Sequence, residues 1–126
     1  MISLYAIFLI IIIHWIADFV FQAEKWALGK SKALKPLLMH TFTYSSIWYV
    51  AILIYSHDLN SSMWFMIITF VAHTITDYFT SKFVSKKFER KEFGSPIPNF
   101  GGFTYIGFDQ VLHYVQLILT YKILFP

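Results

Sequence analysis

The chain has 126 residues, enough for one compact domain, and is 57% hydrophobic and 21% aromatic with only 13% charged residues. A soluble domain carries about 25% charge, so the balance points to a membrane. With no cysteine, disulfides, iron–sulfur clusters and thiolate metal sites are excluded, and any metal must be held by nitrogen and oxygen.

Four stretches are long enough to span a hydrocarbon layer of about 30 Å, which takes roughly 20 helical residues. The first, 2–22, is an apolar run ending in "HWIADFVFQ". It lacks a basic start and a small-x-small cleavage pattern, so it reads as a retained transmembrane helix and not as a signal peptide. The connection "AEKWALGKSKALK" follows with Lys25, Lys30, Lys32 and Lys35. Pro36 then suits the first turn of a second helix, 36–56, where its missing N–H costs little. The short connection "SHDLNSS" has no lysine or arginine and reads as solvated loop at His57 and Asp58. A third helix is predicted over 63–83. The connection after it, "SKKFERKEFGSPIPNFGGF", carries Lys86, Lys87, Arg90 and Lys91 before turning through Gly94, Pro96, Pro98 and the Gly101–Gly102 pair. The fourth helix is predicted over 104–124.

The fold expected is therefore all-α: an integral membrane four-helix bundle forming a single domain over residues 1–126. Basic residues concentrate in the first and third connections, which makes those two cytoplasmic and both termini outward-facing, N-out/C-out. The formal net charge of +3 is thereby absorbed by topology, and no nucleic-acid partner is expected. The sequence does not set the oligomeric state.

Ionisable residues at bilayer depth are costly and mark function by default. Three spans carry a pair four residues apart: His14/Asp18, His73/Asp77 and Asp109/His113, while the second span contributes His40. Spacing of four puts both members on one helical face. The order reverses on the fourth helix, as it must if that helix runs the other way past one shared site. At 1.5 Å per residue, His14, His73 and His113 lie ~12–15 Å from their cytoplasmic helix ends, with Asp18, His40, Asp77 and Asp109 at ~6–9 Å.

Seven potential ligands in two adjacent layers fit a metal site open toward the cytoplasm. Imidazole and carboxylate suit zinc first, with manganese or iron as alternatives. Seven exceed what one catalytic zinc uses, so two ions bridged by an aspartate match the count. Such a site suits hydrolysis of a phosphoester or related bond in a lipid or small amphiphilic metabolite. Asp18 or Asp109 would be the catalytic base, and Lys30 and Lys32 would hold a phosphate. The segment "PNFGGFTYIG" offers a lid or a lipid-facing rim. Three other readings stand beside this one. The residues could form a purely structural His–Asp network, a proton- or metal-ion-translocating path, or a di-iron oxidative centre, although the Glu-x-x-His spacing common in the last is absent.

The segments "HWIADFVFQAEKWALGKSK", "LLMHTFTYS", "VAHTITDYF" and "FDQVLHYVQ" resemble the domain of unknown function 3307 family of small bacterial membrane proteins. The resemblance covers nearly the whole chain. Its recurring elements match His14, Asp18, Gln22, Lys30, Ser31, Lys32, His40, His73, Asp77, Asp109, Gln110 and His113, which adds Gln22 and Gln110 as candidate substrate-binding residues. It implies location in a bacterial inner membrane. A looser similarity exists to membrane-bound metal-dependent hydrolases and zinc-dependent phospholipase C. The chain lacks the additional histidines and the soluble scaffold of the phospholipases.

Overall fold

The computed structural model describes residues 2–92 and 101–126. Among them the fold is all-α, with five helices and no strand. Helix α1 spans Leu4–Trp15 and runs directly into a π-helical turn, Ile16–Val20. Ser3 caps it, its side chain accepting the Ala6 N–H at 3.1 Å. The wide turn closes with the Phe21 N–H bonding back to the Ile16 carbonyl at 3.0 Å. Such a turn rotates the residues beyond it relative to a regular helix. His14 consequently faces α3 and α5 while Asp18 faces α3 and α4.

A short helix, α2 (Glu24–Gly29), lies within the first connection, where the sequence reading placed only a loop. It packs against the start of α3, which spans Leu34–Ser56. A Cβ on Gly29 would sit 2.8 Å from Pro36 Cγ, so the absence of a side chain allows this close approach. Helix α4 spans Leu59–Glu89 and α5 spans Gly102–Leu124. Asp58 caps α4, accepting the Asn60 and Ser61 N–H groups at 3.1 Å each. The "SHDLNSS" turn is thus a helix stop and start in direct succession, with His57 in the left-handed region at φ 54°. At 31 residues α4 outruns the predicted 63–83 at both ends. The part of the proposed lid at 98–100 lies outside the described residues.

Neighbours pack in the ring α1–α3–α4–α5, where α1 and its π turn together meet α3. One end of the interior is apolar, built from Ile10, Trp48, Ile52, Phe65 and Leu117. The other end is polar and equally buried, with His14, Asp18, His40, His73, Asp77 and His113 all at most 3% exposed. Large apolar side chains point outward, among them Leu4 at 86%, Ile54 at 69%, Phe79 at 66% and Ile123 at 73% exposed.

Among the described residues one helix, α3, is long and apolar enough to cross a membrane, with mean hydropathy 1.4; Leu4–Val20 is a shorter apolar stretch. The four equal spans expected from sequence are thus matched at one helix by length and composition. Buried Thr69, His73 and Asp77 on α4, and His113 and Thr120 on α5, replace apolar residues and so dilute the hydropathy of those helices.

Candidate metal centre

The polar end of the bundle is organised around three imidazoles and two carboxylates. His40 comes from α3, His73 and Asp77 from α4, His113 from α5, and Asp18 from the π turn. His40 Nε2 lies 3.1 Å from Asp18 Oδ1, 3.3 Å from Asp77 Oδ2 and 3.2 Å from His73 Nε2. His73 Nε2 lies 3.7 Å from Asp18 Oδ1 and 3.6 Å from Asp77 Oδ2. His113 Nε2 lies 3.2 Å from Asp77 Oδ1 and 3.3 Å from Asp109 Oδ2. Among the described residues, two groups have ligand atoms close enough to hold a metal ion: Asp18, His40 and His73, and His73, Asp77 and His113.

The other two ligands expected from sequence stand at the edges. His14 lies outside both groups and has both ring nitrogens engaged. Gln110 turns its amide nitrogen toward Asp18 Oδ2 (3.3 Å) and Asp109 Oδ2 (3.1 Å), which fixes its Oε1 as the atom facing His14 Nε2 at 2.6 Å. A carbonyl oxygen only accepts, so His14 donates from Nε2, and its Nδ1 accepts the Tyr44 hydroxyl at 2.7 Å. Asp109 is held by the Thr80 hydroxyl, which donates to Oδ1 at 2.6 Å.

Lys30 enters from outside the ring. Gly29 ends α2 against Pro36, and the lysine side chain folds back so that Nζ donates to Asp77 Oδ2 at 2.8 Å. Burial by itself lowers a lysine pKa, but attraction to Asp77 and Asp18 outweighs it, and the ammonium titrates above its ordinary 10.5. Its observed partner is therefore a carboxylate of the centre.

A cavity of about 530 Å³ adjoins this end of the bundle. Asp18, Asp109, Gln110 and Lys30 line it together with Gln22, Ser31, Lys32 and Ser81, and with the apolar Phe19, Leu28, Val84 and Ile106. Gln22 Oε1 and Ser81 Oγ are buried there without a hydrogen-bond partner. All four residues read from sequence as substrate-binding thus border one cavity beside the metal-ligating groups.

Tyr44 has a larger place than its sequence position indicates. It is fully buried, stacks on His73 with ring centroids 3.9 Å apart, and holds His14 through its hydroxyl. The available signal was its spacing of four from His40, which puts the two on one face of α3.

No curated protein and no solved structure matches the chain, and the looser likeness to hydrolases is not shown. The family described as protein of unknown function (DUF3307) matches residues 6–126, nearly the whole chain, and this protein belongs to that family.

Proposed function

We propose that the protein is a membrane-embedded, metal-dependent hydrolase acting on a phosphoester or related bond of a lipid or amphiphilic metabolite. The observation that carries this reading is the shared wall: Asp18, Asp109 and Gln110 face the His/Asp centre on one side and the cavity on the other. A substrate in the cavity meets the metal-ligating groups directly.

Asp18, His40, His73, Asp77 and His113 would hold divalent ions, zinc by the donor set and two by the count of ligands in the sequence, which would supply Lewis acidity for the hydrolysis. The chain's own groups do the rest. Asp109, anchored by Thr80 and Gln110, accepts the proton of the attacking water. Gln110 holds Asp18 and Asp109 in register, and His14 fixes the orientation of its amide. Lys32 and Ser31 at the cavity wall attract the anionic group, Gln22 Oε1 accepts from a substrate hydroxyl, and the apolar wall takes an acyl or prenyl chain.

A bilayer setting is supported by the division of the molecule. Apolar side chains cover the outside of α1, α3, α4 and α5 while titratable groups fill the inside, the reverse of a soluble bundle. The lysine-bearing first and third connections then face the cytoplasm and the site opens toward it.

Translocation is less well supported. A path for protons or ions needs polar groups along its whole length, and beyond the histidines a short Thr69–Gln116–Thr120 hydrogen-bonded group is set among Ile10, Trp48, Ile52, Phe65 and Leu117.

The test is hydrolysis by detergent-purified protein of a panel of water-soluble and lipid phosphoesters, with and without chelator. Release of phosphate that stops with chelator, returns with zinc and is absent in Asp109→Asn supports the reading. A zinc-loaded, folded protein inert toward every ester would count against it.

A further inference from the structure

Asp18 Oδ1, His40 Nε2 and His73 Nε2 form a triangle with edges of 3.1, 3.2 and 3.7 Å. Three corners of a tetrahedron around zinc, with ligand bonds of about 2.0–2.1 Å, are about 3.3–3.4 Å apart. Hydrogen bonds alone do not explain the crowding. His40 Nε2 carries at most one proton, yet Asp18 Oδ1, His73 Nε2 and Asp77 Oδ2 all lie within 3.3 Å of it. Asp18 Oδ1 is buried with no well-aligned hydrogen bond, its near polar neighbours being His40 Nε2 at 3.1 Å and His73 Nε2 at 3.7 Å, a setting that a shared cation would satisfy.

The second group is less convergent. It shares His73 with the first, and an imidazole nitrogen has one lone pair to give. His73 and His113 are stacked, ring centroids 4.0 Å apart and planes 23° apart. Their in-plane lone pairs therefore run side by side instead of meeting at a point. The charges agree with this. Asp18, Asp77 and Asp109 bring three negative charges and Lys30, bonded to Asp77 at 2.8 Å, brings one positive. One divalent ion brings the three carboxylates and Lys30 to balance, whereas a second would leave an excess of positive charge in a low-dielectric interior.

We infer that the centre holds one divalent cation, on Asp18, His40 and His73, and that the Lys30 ammonium occupies the place of a second. Asp77 Oδ2 stands beside the same two nitrogens, 3.3 Å from His40 Nε2 and 3.6 Å from His73 Nε2, and is the oxygen that Lys30 holds, while Asp18 carries the group to the cavity wall. Lys30 is then a resident counter-charge of the centre, and anion capture at the cavity falls to Lys32. This inference rests on the metal-dependent reading above and revises the two-ion count.

The experiment is equilibrium dialysis of the detergent-purified full chain against zinc, comparing wild type with Lys30→Met and Lys30→Arg. One zinc per chain is expected for wild type and for Lys30→Arg. Lys30→Met, which removes the ammonium from Asp77 and leaves Asp77 and His113, 3.2 Å apart, open to a cation, should take up a second. Two zinc ions on wild type, or only one on Lys30→Met, would overturn the inference and leave the metal-dependent reading standing. No zinc on wild type would overturn both.

Discussion

Lys30 Nζ donates to Asp77 Oδ2 at 2.8 Å, tying the short α2 segment to the polar end of the four-helix ring. Asp77 is in turn shared among His40, His73 and His113. The first connection is therefore fastened to the centre, and the cavity between α2, α4 and α5 keeps its shape through that bond. What holds the fold together at this end is charge and hydrogen bonding, where the opposite end uses Trp48, Ile52, Phe65 and Leu117.

His73→Ala should abolish metal binding and destabilise the bundle by about 1–3 kcal/mol, since it removes a buried neighbour of Asp18 and Asp77 while Lys30, His40 and His113 stay beside them. Lys87→Ala is the paired surface control, because Lys87 bonds the partly exposed Glu92 at 2.8 Å away from the centre. It should leave metal content and melting temperature unchanged. Equal metal loss in both variants would contradict the division between centre and surface.

Asp109→Asn should lower the rate of hydrolysis by about 10²–10⁴-fold, the usual worth of a positioned general base. The amide oxygen still accepts from Thr80, but the amide nitrogen then faces the Gln110 nitrogen that now donates to Oδ2, so a loss of about 1–3 kcal/mol in stability should accompany the change. Rates of wild type and variant on the same phosphoester decide this; an unimpaired variant would move the proton-accepting role elsewhere.

Tyr44→Phe keeps the ring that stacks on His73 and removes the hydroxyl that His14 Nδ1 accepts. A buried ring nitrogen left unpaired costs about 1–3 kcal/mol, so chemical denaturation should show a loss of that order. Metal content should stay at the wild-type level, because the hydroxyl is a support for His14 and not a ligand. Loss of metal in Tyr44→Phe would place Tyr44 inside the coordination sphere.

Topology can be tested with single cysteines, since the chain has none. Lys32→Cys and Lys87→Cys should react with an impermeant maleimide only from the cytoplasmic side, and His57→Cys only from the outside. Labelling of all three from one side of intact cells would rule out the alternating passage of α1, α3, α4 and α5 through the bilayer.

Periodicity and cost read well from this sequence. His and Asp at spacings of four, embedded in apolar runs, are expensive, so they had to converge, and His40, His73, Asp77, His113 and Asp18 do. Helix positions followed from the same runs to within two residues for α3 and α5 and within six for α4. The π turn at Ile16–Val20 did not, because its signature is a hydrogen-bond shift that no residue type announces. That turn decides which neighbours Asp18 meets. Helix α2 was hidden by its length and mixed polarity, and Lys30 by its double meaning: a lysine in a basic loop looks like a topology signal until the chain folds it onto Asp77. The partner of a side chain is a tertiary fact, which is why His14 reads as a ligand in sequence and bonds Tyr44 and Gln110 in the structure.

The most direct test of the account is elemental analysis of the detergent-purified protein beside a His40→Ala variant. A stoichiometric transition metal in the wild type that is absent from the variant is the predicted result. A folded, stable wild type free of metal after exposure to zinc, manganese and iron would contradict it and leave the His–Asp cluster as a structural network.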